Sequence, residues 1–374
     1  MECSLLLIAL SLGVTGMPAS SGMSNIKNVA VLVQENLSFD HFAGVLDYDS
    51  SIDGPQNPQF CSPANVSFPS DQVCTSPSAK NIASDDPNHS IAGGNMQVFG
   101  TYQPLAGAKS SMNGFIREQR ASYPKDDINR AAEAINYFTP DHIPFAAVPG
   151  PTNPNRAYCH GQLVGRVPKA IPLRYRQKTR ILRRLLEPCS LYKDTVRYTY
   201  LTSGTSHDYG QNDADFLNFA LSQKSIFEQL SDQGITWKNY ETSTQSEPVF
   251  LPDAMFYDWT ANNAKDNVVP ISQFYSDAGA GAPTIYLDHP GVLLVYVNAS
   301  PWNETLFILT WDEHGGFADH VAPSTDVPAG DSLTYTETAR DGQQYTSHFD
   351  RLGIRAPAVL ISLWVSGPAP AQRG

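Results

Sequence analysis

Three unbroken apolar runs constrain the fold of this chain more than any other feature. They span residues 28–33 (NVAVLV), 306–311 (LFILTW) and 356–363 (APAVLISL). Apolar runs of this length are typical of strands that are buried on both faces of a mainly parallel sheet. The sequence therefore predicts an α/β fold, with a central, mainly parallel sheet flanked by helices.

The segments between these runs give a coarser prediction. Apolar stripes over 213–234 predict a helix that ends near Gly234, and 235–240 (ITWKNY) predicts a further strand. Residues 47–97 are rich in Pro, Ser and Asn, which favours a loop. We find no internal repeats.

Composition excludes several classes of protein. The 374 residues are 41% hydrophobic, which is enough for a core and excludes a disordered chain. The net charge of −12 argues against nucleic acid as a partner. Beyond the N-terminus the sequence has no apolar stretch of the roughly 20 residues that a transmembrane helix needs.

The N-terminus predicts secretion. Residues 5–14 (LLLIALSLGV) form an apolar core that is followed by small residues, so residues 1–20 are predicted to be a signal peptide. The alternative is a buried strand or helix. Cys61 and Cys74 suit a local disulfide. A secreted glycoprotein also fits the sequons, which are at Asn36, Asn65, Asn88, Asn298 and Asn303.

Polar side chains follow two of the predicted strands directly. Glu35 and Asn36 come after the first strand, and Asp312 and Glu313 come after the second. Ligands of open parallel sheets bind outside the carboxyl ends of the strands. Three carboxylates that meet there would repel one another without a cation, and their oxygens suit a divalent metal ion of unknown identity. The alternative is that they are solvated loop residues.

Two further segments carry chemistry. Residues 149–156 (PGPTNPNR) form a rigid turn that presents the hydroxyl of Thr152, with Arg156 close enough in sequence to bind a phosphate. Residues 312–321 (DEHGGFADHV) combine five titratable groups with Gly315 and Gly316, which allow the backbone to approach a ligand. On its own, the first segment is equally consistent with a tight loop.

Together, ENLSFDH (35–41), PGPTNPNR and DEHGGFADHV resemble the secreted phosphoesterase family of non-specific phospholipases C and acid phosphatases. The resemblance covers roughly residues 25–158 and 201–365 and predicts one phosphoesterase domain over 25–365. It implies a fold similar to the alkaline-phosphatase superfamily.

The resemblance also implies roles for single residues. Thr152 matches the nucleophile, and His89 and His320 match histidines near the phosphate and the leaving group. Asn36 is assigned to catalysis as well, and Asn155 and Arg156 to substrate binding. The residues that match the metal and phosphate cluster are Glu35, Asn36, Thr152, Asp312 and Glu313.

The chain departs from the family pattern at 159–200. Within it, residues 161–200 carry a net charge of +8 in an otherwise acidic chain. We interpret 159–200 as an atypical insertion that arises from a mispredicted gene model.

Three functions therefore stay open. The first is phospholipase C-type cleavage of glycerophospholipids with transient contact to a membrane surface, and the second is an acid phosphatase for soluble phosphomonoesters. The third is an inactive protein, the product of a mispredicted gene model.

Overall fold

The structure is a computed structural model that describes residues 23–34, 36–43, 54–55, 59–64, 71–80, 85–138, 201–205, 221–241, 253–280, 303–325, 327, 332 and 334–361. The strands of this part are β1 (Asn28–Gln34), β2 (Cys61–Pro63), β3 (Gln72–Cys74), β4 (Asn239–Glu241), β5 (Val268–Pro270), β6 (Thr305–Trp311), β7 (Tyr335–Thr338), β8 (Gln344–Ser347) and β9 (Ala358–Ile361). The α-helices are α1 (Phe39–Ala43), α2 (Ile91–Phe99), α3 (Phe115–Ser122), α4 (Ile128–Ala131), α5 (Ile226–Asp232), α6 (Asp258–Asn263) and α7 (Ile271–Ala280). Short 3-10 helices lie at Met23–Asn25, Ala132–Ala134, Asp253–Phe256 and Lys265–Asn267.

The three apolar runs form one sheet, in the order β1-β6-β9. β1 and β6 pair in parallel from Asn28 with Thr305 to Gln34 with Trp311. β9 runs antiparallel to β6, with Phe307 opposite Ile361. Mixed helices and strands with parallel pairs confirm the α/β class. β4 and β5 also pair in parallel, from Asn239 with Val268 to Glu241 with Pro270. The antiparallel direction of β9 could not be predicted, because an apolar run does not record the direction of a strand.

Of the helix predicted over 213–234, residues 213–220 lie outside the described part of the chain. Among its described residues, Leu221 forms a β-bridge with Tyr257, and α5 begins only after Ser225, whose hydroxyl accepts a hydrogen bond from the Glu228 N–H at 3.3 Å. The predicted stop is correct. Gly234 has a φ of +67°, and its N–H and that of the next residue donate to the last turn of the helix, as in a Schellman motif. The strand predicted at 235–240 begins only at Asn239.

The segment predicted as a loop contains regular structure. β2 and β3 form an antiparallel pair in which Cys61 and Cys74 are opposite each other and joined by a disulfide, as predicted. α2 follows, capped by the Ser90 hydroxyl and ended by Gly100 at a φ of +72°. Its residues 91–98 are all buried, so the helix has no polar face that would have revealed a helical period in the sequence.

Two apolar clusters pack around these elements. One joins Val33 of β1 to Phe227, Trp237 and Tyr257, and the rings of Phe227 and Trp237 lie 4.9 Å apart. The other joins α2, α3 and α4 through Val98, Phe115, Ile116, Ala131 and Ile354. α2 is therefore held between the core and the loops that follow β6. Among the described helices, none is both long and apolar enough to span a membrane.

Candidate active site

The carboxyl ends of β1 and β6 bring Asn36, Asp312 and Glu313 together. Asp312 Oδ1 accepts hydrogen bonds from the Asn36 N–H at 3.0 Å and from the Glu313 N–H at 2.8 Å. The Leu37 N–H donates to the Glu313 carbonyl at 3.2 Å. Asn36 has a φ of +66°, a strained conformation that Asn tolerates better than most residues and that is frequent at functional sites.

Glu313 is fully buried and faces two histidines. His89 Nδ1 lies 3.8 Å from Glu313 Oε1, and His314 Nδ1 lies 3.2 Å from Glu313 Oε2. His89 is also buried and precedes α2 by two residues. A buried carboxylate is costly unless cationic or hydrogen-bonding groups surround it. The structure thus places His89, which is far away in sequence, beside the Glu313 carboxylate.

Gly315 and Gly316 are required by close contacts within the protein. Their φ values are +64° and +74°. A Cβ at Gly315 would lie 2.4 Å from the Asn36 carbonyl oxygen, and a Cβ at Gly316 would lie 2.6 Å from Cβ of Pro87. The glycines therefore allow three loops to meet, and their approach to a ligand stays a prediction.

A second polar cluster contains His320. Asp40 Oδ2 accepts hydrogen bonds from the His320 N–H at 2.7 Å and from His320 Nδ1 at 2.8 Å. Arg355 donates to Asp40 at 3.2 Å and to both oxygens of Asp319, and it lies over the ring of Phe39 at 4.4 Å. Burial lowers the pKa of His320, but the hydrogen bond and charge of Asp40 outweigh it and raise the pKa to about 9. His320 is therefore protonated at neutral pH.

The two clusters differ in how well the structure supports a metal ion. Among the described residues, the ligand atoms of Asp40, Asp319 and His320 all lie within 4.8 Å of one another, as a metal site requires. The guanidinium of Arg355 already contacts both of these carboxylates, and it balances the charge that a cation would neutralise. The oxygen donors of Asn36, Asp312 and Glu313 are the set that fits a hard divalent cation.

His41 also belongs to a motif that the sequence singles out, but its environment indicates a structural role. Its Nδ1–H donates to the Asn136 carbonyl at 2.7 Å, and its ring packs on Phe317 at 3.9 Å and on Phe138 at 4.7 Å. Burial lowers its pKa to about 3, so it is neutral.

Some predicted residues lie outside the described part of the chain. They are Glu35, Thr152, Asn155 and Arg156, together with the predicted signal peptide at 1–20 and the insertion at 159–200. Conversely, sequence reasoning missed Asp40 and Asp319 as the carboxylates near His320, and Arg355 as the residue that contacts both carboxylates. The only signal was their position inside or near the motifs.

Comparison with known proteins decides the family. A sequence model of the Phosphoesterase family matches residues 26–282 and 291–373. The chain belongs to the Phosphoesterase family. It is 27% identical to Non-specific phospholipase C3 of Arabidopsis thaliana, over 96% of this chain and 69% of that relative. It is 29% identical to Non-specific phospholipase C6 of the same plant, over 91% and 62%. It is 23% identical to Phospholipase C B of Mycobacterium tuberculosis, over 94% and 71%.

These matches confirm the predicted family and support the predicted enzyme class, a phosphoric ester hydrolase. The relatives carry phospholipase C names, which does not favour the acid phosphatase alternative. The chain spans less than two thirds of the length of several of them, 62% in the case of Non-specific phospholipase C6.

Proposed function

We propose that the chain hydrolyses glycerophospholipids in the manner of a phospholipase C, releasing diacylglycerol and a phosphorylated head group. The observation that carries this proposal is the meeting of Asn36, Asp312, Glu313 and His89 at the carboxyl ends of β1 and β6. Buried oxygen ligands next to an imidazole suit phosphoryl transfer, in which most of the catalysis is positioning and charge stabilisation. The names of the relatives supply the substrate class.

The proposed reaction has two displacements at phosphorus. The Thr152 hydroxyl releases its proton to solvent and forms a bond to phosphorus, and the bond between phosphorus and the glycerol oxygen breaks. His320, which is protonated at neutral pH and oriented by Asp40, gives its proton to the departing alkoxide. Water then attacks the same phosphorus and gives one proton to His320, which restores its protonated state. The bond between phosphorus and the Thr152 oxygen breaks, the phosphorylated head group leaves, and the Thr152 oxygen takes a proton back from solvent. Asn155 and Arg156 hold the phosphoryl oxygens.

A divalent cation would complete this site. We assign it to Glu35, Asn36, Thr152, Asp312 and Glu313, as the family resemblance implies. When bound, the cation stabilises charge on the phosphoryl oxygens and lowers the pKa of the attacking hydroxyl. Two backbone N–H groups hold the carboxylate of Asp312 in place, so this ligand is already oriented before a cation binds.

The test is to trap the covalent intermediate. The full chain is mixed with phosphatidylcholine, quenched in acid within the first turnover, digested and analysed by mass spectrometry. We expect a phosphocholine adduct on the peptide that contains Thr152. Thr152→Ala should lose both the adduct and the release of diacylglycerol, whereas Thr101→Ala, at an exposed threonine, should keep both. Undiminished turnover by Thr152→Ala would contradict the mechanism.

We further propose that the protein is secreted and that its sheet has the helix-flanked, alkaline-phosphatase-like arrangement of the family. The Cys61–Cys74 disulfide supports an oxidising compartment. Glycosylation is not expected at Asn88, because its Nδ2 donates to Glu118 Oε1 at 2.5 Å inside the protein. Asn303 is exposed and is the better acceptor. N-terminal sequencing of protein from the culture medium tests the signal peptide, since a chain that still begins at Met1 would contradict it.

A further inference from the structure

The side chain of Gln97 connects the two loops that meet at Glu313. Gln97 lies on α2 and is only 1% exposed. Its Nε2 donates to the Asn88 carbonyl at 2.7 Å and to the Gly316 carbonyl at 3.3 Å. Its Oε1 lies 3.0 Å from His314 Nε2. The side-chain amide of Gln97 therefore makes one contact with the loop before α2 and two contacts with the loop after β6.

These contacts allow only one orientation of the amide. Carbonyl oxygens only accept hydrogen bonds, so the group that faces Asn88 and Gly316 has to be the NH2 group. Oε1 is then fixed as an acceptor, and His314 has to carry a proton on Nε2 to donate to it. Gln97 thereby requires a proton on Nε2 of His314 and fixes the orientation of the ring.

The consequence reaches Glu313. With Nε2 bound to Gln97, the opposite ring nitrogen of His314 is directed at Glu313 Oε2, 3.2 Å away. The hydrogen bond to the Asn88 carbonyl also fixes the residue before His89, whose ring lies 3.8 Å from the other oxygen of Glu313. Both imidazoles that face the Glu313 carboxylate are thus held through one glutamine.

We propose that Gln97 is a positioning residue of the catalytic site, acting on Glu313 through His314 and on His89 through Asn88. This inference rests on the proposed function, because it assigns a purpose to Glu313 and His89. It extends that function by one residue that contacts neither the cation nor the substrate. Loss of a residue that orients metal ligands through hydrogen bonds commonly lowers metal affinity or activity by about 10- to 100-fold.

Two variants separate positioning from folding. Gln97→Met removes all three hydrogen bonds at similar volume. Gln97→Glu keeps an oxygen for His314 but presents a carboxylate to the two carbonyls. The matched control is Gln103→Met, since Gln103 is exposed and also donates to a backbone carbonyl, that of Gln344, at 3.2 Å. Urea unfolding gives the folded fraction of each variant.

Three readouts are compared on the folded fraction of the full chain. For Gln97→Met we expect kcat on phosphatidylcholine to fall about 10- to 100-fold with a much smaller change in KM, and Mn²⁺ affinity, measured by electron paramagnetic resonance, to fall at least several-fold. For Gln97→Glu we expect a smaller loss of kcat. Gln103→Met should match the wild type. If Gln97→Met does not fold, Gln97→Glu carries the kinetic comparison.

The third readout does not depend on activity. In ¹⁵N-histidine NMR, Nε2 of His314 should carry a proton in the wild type and in Gln97→Glu. In Gln97→Met, His314 should no longer be held with a proton on Nε2. Wild-type His314 without an Nε2 proton, or folded Gln97 variants with wild-type kcat and Mn²⁺ affinity, would overturn the inference. A wild-type chain that hydrolyses no phosphate ester would instead overturn the proposed function, and the NMR spectra would still decide whether Gln97 fixes His314.

Discussion

Asp40 Oδ2 accepts two hydrogen bonds from His320, one from its backbone N–H at 2.7 Å and one from its Nδ1 at 2.8 Å. This double contact fixes both the position and the protonation of the imidazole. Asp40→Asn removes the negative charge but keeps the size of the side chain. We expect the pKa of His320, measured by NMR titration, to fall well below its value of about 9, because burial then dominates.

The same contact makes stability depend on pH. The pKa of His320 is higher in the folded state than its ordinary value of 6.5, so its stabilisation is complete below about pH 6.5 and is lost as pH rises through about 9. The stability difference between wild type and Asp40→Asn should shrink over that interval. Asp266→Asn, at an exposed aspartate, serves as the control. A difference that stays constant from pH 6.5 to 9 would refute the pairing.

His41 should make the fold sensitive to acid. Its pKa of about 3 in the folded state is far below the ordinary 6.5, so the unfolded chain binds a proton more readily, and stability falls as pH drops below 6.5. His41→Phe leaves the Asn136 carbonyl without its donor and should cost about 1–3 kcal/mol at pH 7. The difference in free energy of unfolding between wild type and His41→Phe, measured with urea, should become smaller toward pH 4. His348→Phe, at an exposed histidine, should show no such narrowing.

The close contact at Gly315 can be separated from its backbone conformation. Gly315 and Gly107 have similar φ values, +64° and +74°, but a Cβ at Gly107 would meet nothing within 4 Å. Gly107→Ala should therefore cost only the conformational penalty of about 1–2 kcal/mol. Gly315→Ala adds a collision with the Asn36 carbonyl and should lower both the melting temperature and kcat further. Equal effects of the two variants would show that the loops do not meet as described.

The Asn88–Glu118 pair offers a test by exchange. Burial raises the pKa of Glu118, and the hydrogen bond from Asn88 acts against that rise. Asn88→Asp places two carboxylates in contact and should cost on the order of 3 kcal/mol. Adding Glu118→Gln reverses the donor and the acceptor and should restore most of the stability. Additive losses in the double variant, measured by urea unfolding, would contradict a direct bond.

The sequence predicted the central strands well because burial on both faces leaves a direct trace in composition. β1 and β6 lie where their apolar runs predicted, and their parallel pairing brings Asn36 to Asp312, as expected for residues that follow neighbouring strands. The direction of β9 left no such trace.

α2 and the contacts of Gln97 and Arg355 could not be predicted from the sequence, for a physical reason. α2 is buried on all sides and contains Gly93 and Gly94, so it shows neither helical periodicity nor high helix propensity. The role of Gln97 depends on contacts with residues 9 positions before and 219 positions after it. Arg355 likewise meets Asp40 across 315 positions. Such partners are fixed by tertiary packing, which no local pattern records.

Phosphorus NMR of the products is the most direct test of the central proposal. The purified full chain, with Mn²⁺ added, is given phosphatidylcholine vesicles and, in a separate tube, an aryl phosphomonoester. We predict phosphocholine as the product in the first tube, with Glu313→Gln much slower than wild type. Inorganic phosphate from the monoester with no phosphocholine from the vesicles would indicate a phosphatase instead, and the absence of both products would contradict the proposed function.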